Sequence, residues 1–231
     1  MYANSPLIES AQSGPHPRLA EIVARHLRER YRRAPSAAGR RAFDDIFEQL
    51  QVAPFVLDTG CGTGASTLAL AREFPDRLVL GIDKSSARLG VGLRALARRT
   101  PADAPANMRL LRCELVDFWQ LAAEAGLRCE RQSLLYPNPW PKPEHVMRRW
   151  HAHPVLPAML ALGGVIELRT NWRIYAEEFV QTMDAAGRKA QLEQLQVNEP
   201  LTPFERKYLV SGHALWRACA QARGVRARSG R

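Results

Sequence analysis

Short apolar runs alternate with longer amphipathic segments along the chain from Phe55 onward. The short runs, rich in Val, Leu and Ile, predict strands, and the segments with apolar positions at helical spacing predict helices. This alternation is typical of a parallel sheet with helices on both faces. We therefore expect an α/β fold with a central, mostly parallel seven-stranded sheet.

The individual elements follow from the same pattern. The predicted strands are FVLDTG, RLVLGID, MRLLRCE, QSLLYP and GVIELRTN, followed by an antiparallel pair at KAQLEQLQV and GHALWRACA. The predicted helices are Ala65 to Phe74, Ser86 to Arg99, Leu115 to Ala125, Glu144 to Leu162 and Trp172 to Ala186.

The first fifty residues carry two basic helical patterns, His16 to Arg33 and Gly39 to Leu50. We expect residues 1–51 to form a basic helical extension and residues 52–222 to form the main domain. The tail, residues 223–231, is rich in Gly and Arg, a composition typical of disorder.

The formal net charge of +10 makes a polyanionic partner such as nucleic acid worth considering. Only 4 of the 33 basic residues are lysines, and such a skew also arises from genome base composition, so charge alone leaves the partner open. The 231 residues contain no apolar run long enough to span a bilayer and no secretory signal pattern, so we expect a cytoplasmic protein, monomeric or homodimeric.

Metal binding is not indicated. The four cysteines, Cys61, Cys113, Cys129 and Cys219, lack CxxC spacing and nearby His ligands. Neither a zinc site nor a disulfide framework is therefore predicted.

The strongest local motif is the glycine-rich turn VLDTGCGTGAS. A buried strand ends at Asp58, Gly60, Gly62 and Gly64 form a tight turn, and a helix begins at Ala65. Glycines there let the backbone approach a ligand closely, next to a helix N-terminus. The next strand ends in Asp83, a suitable acceptor for ribose hydroxyls. These features predict a cofactor that contains a nucleoside.

Two cofactor classes fit the glycine pattern, because GCGTGA also satisfies the dinucleotide motif. Asp58 favours S-adenosylmethionine, since a carboxylate repels a pyrophosphate but suits the amino group of a methionine. Glu114, which ends the third strand, can accept from an adenine amino group. Acids at three successive strand ends resemble the layout of class I methyltransferases, which have a Rossmann-like fold.

The fourth strand runs into LLYPNPWPKPEH, a segment with four prolines. Proline fixes φ and removes a backbone donor, so the segment continues neither a helix nor an inner strand. Ligands in such sheets bind beyond the carboxyl ends of the strands, where this loop lies. Asn138-Pro139-Trp140 resembles the Asn/Asp-Pro-Pro-aromatic motif of amino methyltransferases. Whether Trp140 stacks on a base or anchors the loop is open.

Three longer segments resemble, in order and spacing, the motifs of the bacterial tRNA (guanine-N7-)-methyltransferase family. PNPWPKPEHVMRR resembles PDPWxKxRHxKRR, ELRTNWRIYAEEF resembles TDWxxYAE, and LTPFERKYLVSGHALW resembles TKFExRGxxLGHxxWD. With the glycine turn, the resemblance covers most of the chain from Phe55 to Trp216. It implies transfer of a methyl group from S-adenosylmethionine to N7 of a guanine in the variable loop of tRNA.

The resemblance also implies residue roles. Asp58, Gly60, Gly62, Gly64, Asp83, Glu114 and Asn138 would bind the cofactor, with Asn138 at the position of the family's proposed catalytic aspartate. Lys142, Asn171, Thr202, Phe204 and Glu205 would bind the substrate, with residues 202–205 closing over the guanine. His145, Arg148 and Arg149 would face RNA phosphates.

Two departures from the family pattern bear on activity. Both substrate-side aspartates are replaced by Asn138 and Asn171, and a neutral amide cannot offset charge that develops on the base. Attack by N7 uses an in-plane lone pair, so no general base is required. The alternatives are a catalytically weakened RNA-binding protein, a methyltransferase with an amine or small-molecule substrate, and a purely structural turn role for the two Asn residues.

Overall fold

The computed structural model describes residues 4–98 and 105–222. They form one seven-stranded sheet and eight α-helices. The strands are β1 (Phe55–Thr59), β2 (Val79–Asp83), β3 (Met108–Arg112), β4 (Cys129–Leu135), β5 (Val165–Thr170), β6 (Ala190–Gln194) and β7 (Trp216–Ala220). The helices are α1 (Leu19–Arg28), α2 (Ala37–Gln51), α3 (Ala65–Glu73), α4 (Ser86–Ala97), α5 (Leu115–Glu124), α6 (Leu156–Ala161), α7 (Arg173–Ala185) and α8 (Pro203–Val210).

The strand order is β3-β2-β1-β4-β5-β7-β6. Strands β1 to β5 pair in parallel, and β7 is antiparallel to both β5 and β6. The predicted mostly parallel sheet and its antiparallel pair are therefore confirmed. The order reverses direction between β1 and β4, which opens a crevice at the carboxyl ends of these two strands.

Helices cover both faces of the sheet, and β1 shows why. Phe55 and Leu57 point into the large core, which they share with residues of α5, α6 and α7. Val56 points the other way, into a smaller core with Leu70 and Ala71 of α3. Burial on both faces explains the continuous apolar run of this strand.

The N-terminal extension packs onto the domain. Leu19 and Val23 of α1 and Phe43 and Leu50 of α2 belong to the same buried core as the sheet. The Ser36 side chain accepts from Gly39 N and caps α2. The extension therefore shares the core of the domain.

The prediction of one helix from Glu144 to Leu162 is wrong. The segment forms two 3₁₀ turns, Pro143–Arg148 and Trp150–Ala152, and then the short helix α6. Prolines 154 and 157 interrupt the segment and prevent a continuous helix. Helix α8, which had no sequence prediction, is the second difference.

Within residues 4–98 and 105–222, no helix is long and apolar enough to cross a membrane, and no group of acidic, His or Cys side chains could hold a metal ion. The predicted helix end at Arg99 and the tail 223–231, which was expected to be disordered, lie outside the described residues.

Candidate active site

An open cleft of about 670 Å³ lies at the carboxyl ends of the central strands. This volume is within the usual range for small-molecule sites. Six of the sequence-predicted residues line it: Gly60, Asp83, Glu114, Asn138, Arg148 and Phe204. The cleft therefore brings the predicted cofactor side and the predicted substrate side together.

The glycine turn forms one wall. Gly60, Gly62 and Gly64 all have φ between 58° and 77°, where a side chain is strained. A Cβ at Gly64 would also meet the Leu110 side chain at 2.9 Å, so this glycine lets α3 approach the sheet. The turn thus needs glycine both for its backbone conformation and for packing.

Asp58 lies just behind this wall and is 1% exposed. Its Oδ2 accepts hydrogen bonds from Ser66 Oγ and Thr67 Oγ1 of α3, each at 2.7 Å. Its Oδ1 has no partner among the residues that the structure describes. Burial raises the pKa of Asp58 to about 6, although the two hydroxyl hydrogen bonds oppose this shift.

The other two predicted cofactor acids lie at the ends of the neighbouring strands. Asp83 Oδ2 accepts from Gly62 N at 3.0 Å, and Oδ1 accepts from Ser85 N at 2.8 Å, so the turn holds this carboxylate in place. Glu114 precedes α5, is solvent-exposed, and lies 3.6 Å from Lys84 Nζ.

These residues fit S-adenosylmethionine. The unpartnered Asp58 Oδ1 is a buried acceptor that a cationic amino group would satisfy, and a buried acceptor without a partner is costly. Asp83 and Glu114 line the cleft beyond it and offer carboxylate oxygens to ribose hydroxyls and an adenine amino group. A pyrophosphate would bring negative charge against three acids.

The proline loop forms the opposite wall. Tyr136 and Trp140 adopt φ of 52° and 45°, in the left-handed region that non-glycine residues rarely occupy. Asn138 is exposed to the cleft, and its Oδ1 accepts from Trp140 N at 3.2 Å. Asn138 therefore stabilises the turn and also faces the cleft, so it has the structural turn role that the sequence allowed.

Trp140 is half-buried and lines the cleft. The Arg148 guanidinium lies 4.7 Å from the centre of its ring, and His145 contacts it edge-on at 5.6 Å. Arg148 thus covers part of the Trp140 ring and places a positive charge at the cleft. Arg148 is exposed and His145 is half-buried, as residues that face a polyanion would be.

The prediction that Arg149 faces RNA phosphates is wrong. Arg149 is 0% exposed. Its Nη1 donates to both oxygens of Glu178, at 2.7 and 2.6 Å, and its Nε and Nη2 donate to the carbonyl oxygen of Trp140 at 3.2 and 3.0 Å. Arg149 also lies 4.8 Å from the ring centre of Trp172, which is buried. Arg149 therefore holds the proline loop against α7.

Two further predicted substrate residues lie outside the cleft lining. Lys142 is exposed, and its Nζ makes no ion pair or hydrogen bond within residues 4–98 and 105–222. Asn171 Nδ2 lies 3.0 Å from His213 Nδ1, and His213 Nε2 lies 2.9 Å from the carbonyl oxygen of Ser5. Asn171 thus connects β5 to the loop before β7 and to the N-terminal segment.

Helix α8 presents Phe204 to the cleft, but its other predicted residues act in the fold. Thr202 Oγ1 caps the helix by accepting from Glu205 N at 2.9 Å. Glu205 is 0% exposed and accepts from Tyr136 Oη at 2.9 Å and Arg169 Nη1 at 3.0 Å. The expectation that Thr202 and Glu205 contact the guanine is therefore corrected: both position α8.

Several residues that line the cleft were given no individual role by the sequence motifs. They are Thr59, Lys84, Arg88, Cys113, Leu115, Leu135, Tyr136, Pro137, Pro139, Trp150, His153 and Tyr208. Thr59, Cys113 and Leu135 are close to strand ends, so the same strand-end rule that selected the acids could have found them. Trp150, His153 and Tyr208 are placed by tertiary packing and carry no local signal.

Solved structures of other methyltransferases share this fold. A tryptophan-to-alanine mutant of the 16S rRNA (adenine(1408)-N(1))-methyltransferase from Catenulisporales acidiphilia, with cosubstrate SAM, is 18% identical with a TM-score of 0.56, over 79% of this chain and 92% of that one. The 16S rRNA methyltransferase KamB is 23% identical with a TM-score of 0.56, over 78% of this chain and 94% of that one.

Sequence comparisons are more specific. The family model described as "Putative methyltransferase" matches residues 52–218. The tRNA (guanine-N(7)-)-methyltransferase of Leifsonia xyli subsp. xyli is 32% identical, over 78% of this chain and 80% of that protein. The enzyme of the same name from Ectopseudomonas mendocina is 33% identical, over 77% of this chain and 76% of that protein. The chain therefore belongs to the tRNA (guanine-N(7)-)-methyltransferase family.

Proposed function

We propose that the protein transfers the methyl group of S-adenosylmethionine to N7 of a guanine in the variable loop of tRNA. The observation that carries this proposal is the cleft that Asp83 and Glu114 share with Asn138 and Trp140 of the proline loop. Family membership supports the substrate, because the curated relatives carry the same activity in their names.

When bound, S-adenosylmethionine supplies an electrophilic methyl group on a sulfonium, and attack by the N7 lone pair moves the positive charge to the guanine and leaves a thioether. Asp58 holds the amino group of the methionine part, and Asp83 and Glu114 hold the ribose and the adenine. The glycine turn lets these groups approach the backbone. These contacts fix the position of the methyl group, and positioning supplies much of the rate in such a transfer.

Asn138 and Trp140 act on the guanine. N7 carries no proton to remove, so these residues orient the base and no general base is needed. The Asn138 amide can donate through Nδ2 to a base acceptor while its Oδ1 accepts from Trp140 N. Trp140 contacts the base with the ring surface that Arg148 leaves free, and Phe204 covers the mouth of the cleft from α8.

Arg148, His145 and Lys142 recognise the RNA backbone next to the guanine. Lys142 and His145 belong to the proline loop and Arg148 follows it, and none of the three makes an ion pair with an acid of the described chain. Arg148 and Lys142 are exposed, as phosphate-contacting residues must be.

Nucleoside analysis tests the proposal. Purified protein is incubated with labelled S-adenosylmethionine and unmodified tRNA, and the tRNA is then digested and its nucleosides are separated. We expect labelled 7-methylguanosine, and its formation should be abolished in a tRNA whose variable-loop guanine is replaced by adenine. Absence of 7-methylguanosine from a protein that binds the cofactor would overturn the proposal.

A catalytically weakened RNA-binding protein is the second candidate function. The two asparagines at the family's aspartate positions favour it, because both are neutral and both make hydrogen bonds within the protein. Asn138 Oδ1 accepts from Trp140 N, and Asn171 contacts His213. On this alternative the protein binds tRNA and cofactor but completes less than one turnover per molecule. Multiple turnovers in the same nucleoside assay exclude it.

A further inference from the structure

A second cleft, of about 650 Å³, lies beside the active site. It is formed by the C-terminal end of α1 and the residues after it, opposite the segment that follows the proline loop. Its lining contains four arginines, Arg25, Arg28, Arg30 and Arg32, and one acid, Glu29. The remaining lining residues are His26, Tyr31, Met147 and Pro154.

The two clefts are neighbours along the same surface. Met147 lines the basic cleft and Arg148 lines the active-site cleft, and the same holds for Pro154 and His153. Tyr31 of the basic cleft contacts His153 edge-to-face at 5.7 Å. A chain that leaves the active-site cleft past Arg148 and His153 therefore enters the basic cleft directly.

The arginines of the basic cleft are largely free to bind a ligand. The side chains of Arg28 and Arg32 make no hydrogen bond or ion pair within residues 4–98 and 105–222. Arg30 lies 3.4 Å from Glu124, in a pair too exposed to hold it. Arg25 and Arg28 are three residues apart in α1 and so share one side of the helix.

Glu29 is the one acid among the described residues that line the basic cleft. Burial lowers the pKa of His26, in this cleft, and lowers that of His153, in the neighbouring active-site cleft, to about 4, so both rings are neutral at pH 7. Met147 is 44% exposed and offers an apolar surface, and the Arg25 guanidinium lies 3.4 Å from its sulfur. Four guanidinium groups and one carboxylate, that of Glu29, thus line the cleft.

We propose that the basic cleft binds the phosphate backbone of the RNA next to the target guanosine, through Arg25, Arg28, Arg30 and Arg32. This inference rests on the proposed function, because it takes the RNA substrate as the occupant. Closely spaced arginines, two of which make no hydrogen bond or ion pair within the described residues, match successive phosphates, and guanidinium groups bind phosphate oxygens in a bidentate manner. The site is separate from the proline loop, and its four arginines belong to the N-terminal extension.

The test compares two double variants of the full-length protein. Arg28→Ala with Arg32→Ala removes two unpaired arginines of the basic cleft. Arg94→Ala with Arg98→Ala is the matched control, because both residues are exposed and belong to α4 and its C-terminal end, and α4 packs against β2 and β3. The dissociation constant for tRNA is measured from 50 to 300 mM salt, and cofactor binding is measured by calorimetry.

We expect the basic-cleft variant to bind tRNA about tenfold or more weakly at 150 mM salt. Its plot of log affinity against log salt should be shallower by about 1.4 to 1.8, at roughly 0.7–0.9 for each phosphate that an arginine no longer neutralises. The KM for tRNA should rise, while kcat at saturating tRNA and the affinity for cofactor stay unchanged. The control should match the parent in every measurement.

Three outcomes would overturn the inference. Equal tRNA binding by the two variants means that the basic cleft does not hold the RNA. A cleft that binds an acidic protein surface instead of RNA would give the same result. Weaker cofactor binding in the basic-cleft variant means that the substitutions disturb the fold and do not act on the RNA directly. In both of these outcomes the proposed function still stands if the parent protein forms 7-methylguanosine. If the parent protein neither binds nor methylates tRNA, the proposed function and this inference fail together.

Discussion

Arg149 and Glu178 form an ion pair in which both side chains are 0% exposed, although Arg149 directly follows an arginine at the mouth of the active site. Burial raises the pKa of Glu178, but the hydrogen bond from His151 and the Arg149 guanidinium outweigh it, so its pKa lies well below the usual range. Glu178 also accepts from His16 N and Gln12 Nε2. The pair therefore joins α7, the N-terminal segment and the proline loop.

Replacing Arg149 by methionine should destabilise the protein by about 3–5 kcal/mol, because it leaves Glu178 buried without its charge partner. The same change at Arg148, which is exposed, should alter the free energy of unfolding by less than about 0.5 kcal/mol. Urea unfolding of the two variants measures both values. A similar stability for the two variants would contradict the structural role assigned to Arg149.

The contrast between Arg148 and Arg149 shows what the local sequence could not predict. The sheet, the glycine turn and the strand-end acids were predicted because each follows from a local pattern of apolar residues, glycines or single acids. Arg148 and Arg149 carry the same local signal. They differ because a 3₁₀ turn ends at Arg148 and the next residue points inward, and this depends on contacts with α7.

Glu205 illustrates the same limit. Its family motif predicted a substrate contact, but Tyr136 and Arg169, which are distant in sequence, surround it in the fold. Helix α8 was missed because LTPFER reads as a loop interrupted by proline. Proline is tolerated in the first turn of a helix, and Pro203 lies there, directly after the capping residue Thr202.

Adjacent residues of α8 should therefore respond differently to substitution. Phe204→Ala should lower kcat/KM for tRNA by about tenfold or more and leave stability nearly unchanged, because this side chain is 46% exposed at the cleft. Glu205→Ala should cost about 1–3 kcal/mol of stability for each buried donor that it leaves unpaired, such as the Tyr136 hydroxyl, while Arg169 keeps its ion pair with Glu167. Thermal unfolding and steady-state kinetics separate the two effects. Loss of stability in Phe204→Ala would contradict its placement in the substrate wall.

Cofactor affinity should depend on the protonation of Asp58. The pKa of Asp58 in the folded protein is about 6, above the value of about 3.9 for an unfolded chain, so the folded state binds the proton first as the pH falls. The protonated acid cannot offset the charge of an amino group. Affinity for S-adenosylmethionine should thus fall by about tenfold for each pH unit below about 6.

The stability of the cofactor-free protein should change in the opposite direction. Between about pH 6 and pH 4 the folded state takes up a proton at Asp58 that the unfolded state does not, so this group adds stability as the pH falls. Calorimetry from pH 5 to 8 measures the affinity, and Asp58→Asn is the control. This variant should bind weakly at pH 7.5 with little further change at pH 5. An affinity of the parent that is constant over this range would contradict the role of Asp58.

The two asparagines at family aspartate positions offer the sharpest test of the catalytic proposal. Asn138→Asp keeps an oxygen that can accept from Trp140 N, so the turn should survive, and it adds a negative charge at the cleft. Positive charge develops on the guanine during the transfer, and a carboxylate stabilises it where a neutral amide does not. We expect kcat to rise by about tenfold or more, a modest part of the 10²–10³ associated with one charge-stabilising contact.

Asn171→Asp is the matched control, because Asn171 contacts His213 and does not line the cleft. Asn171 Nδ2 donates to His213 Nδ1, which leaves the proton on Nε2 to be donated to Ser5 O. An aspartate carboxylate has no hydrogen to donate to His213 Nδ1. Either this hydrogen bond is lost, or the His213 imidazole carries its proton on Nδ1 and loses the hydrogen bond to Ser5 O. We expect kcat to change by less than about threefold, with a small loss of stability. Single-turnover methylation with saturating tRNA compares the variants. A larger increase in rate from Asn171→Asp than from Asn138→Asp would show that the added charge acts from β5 and not from the proline loop.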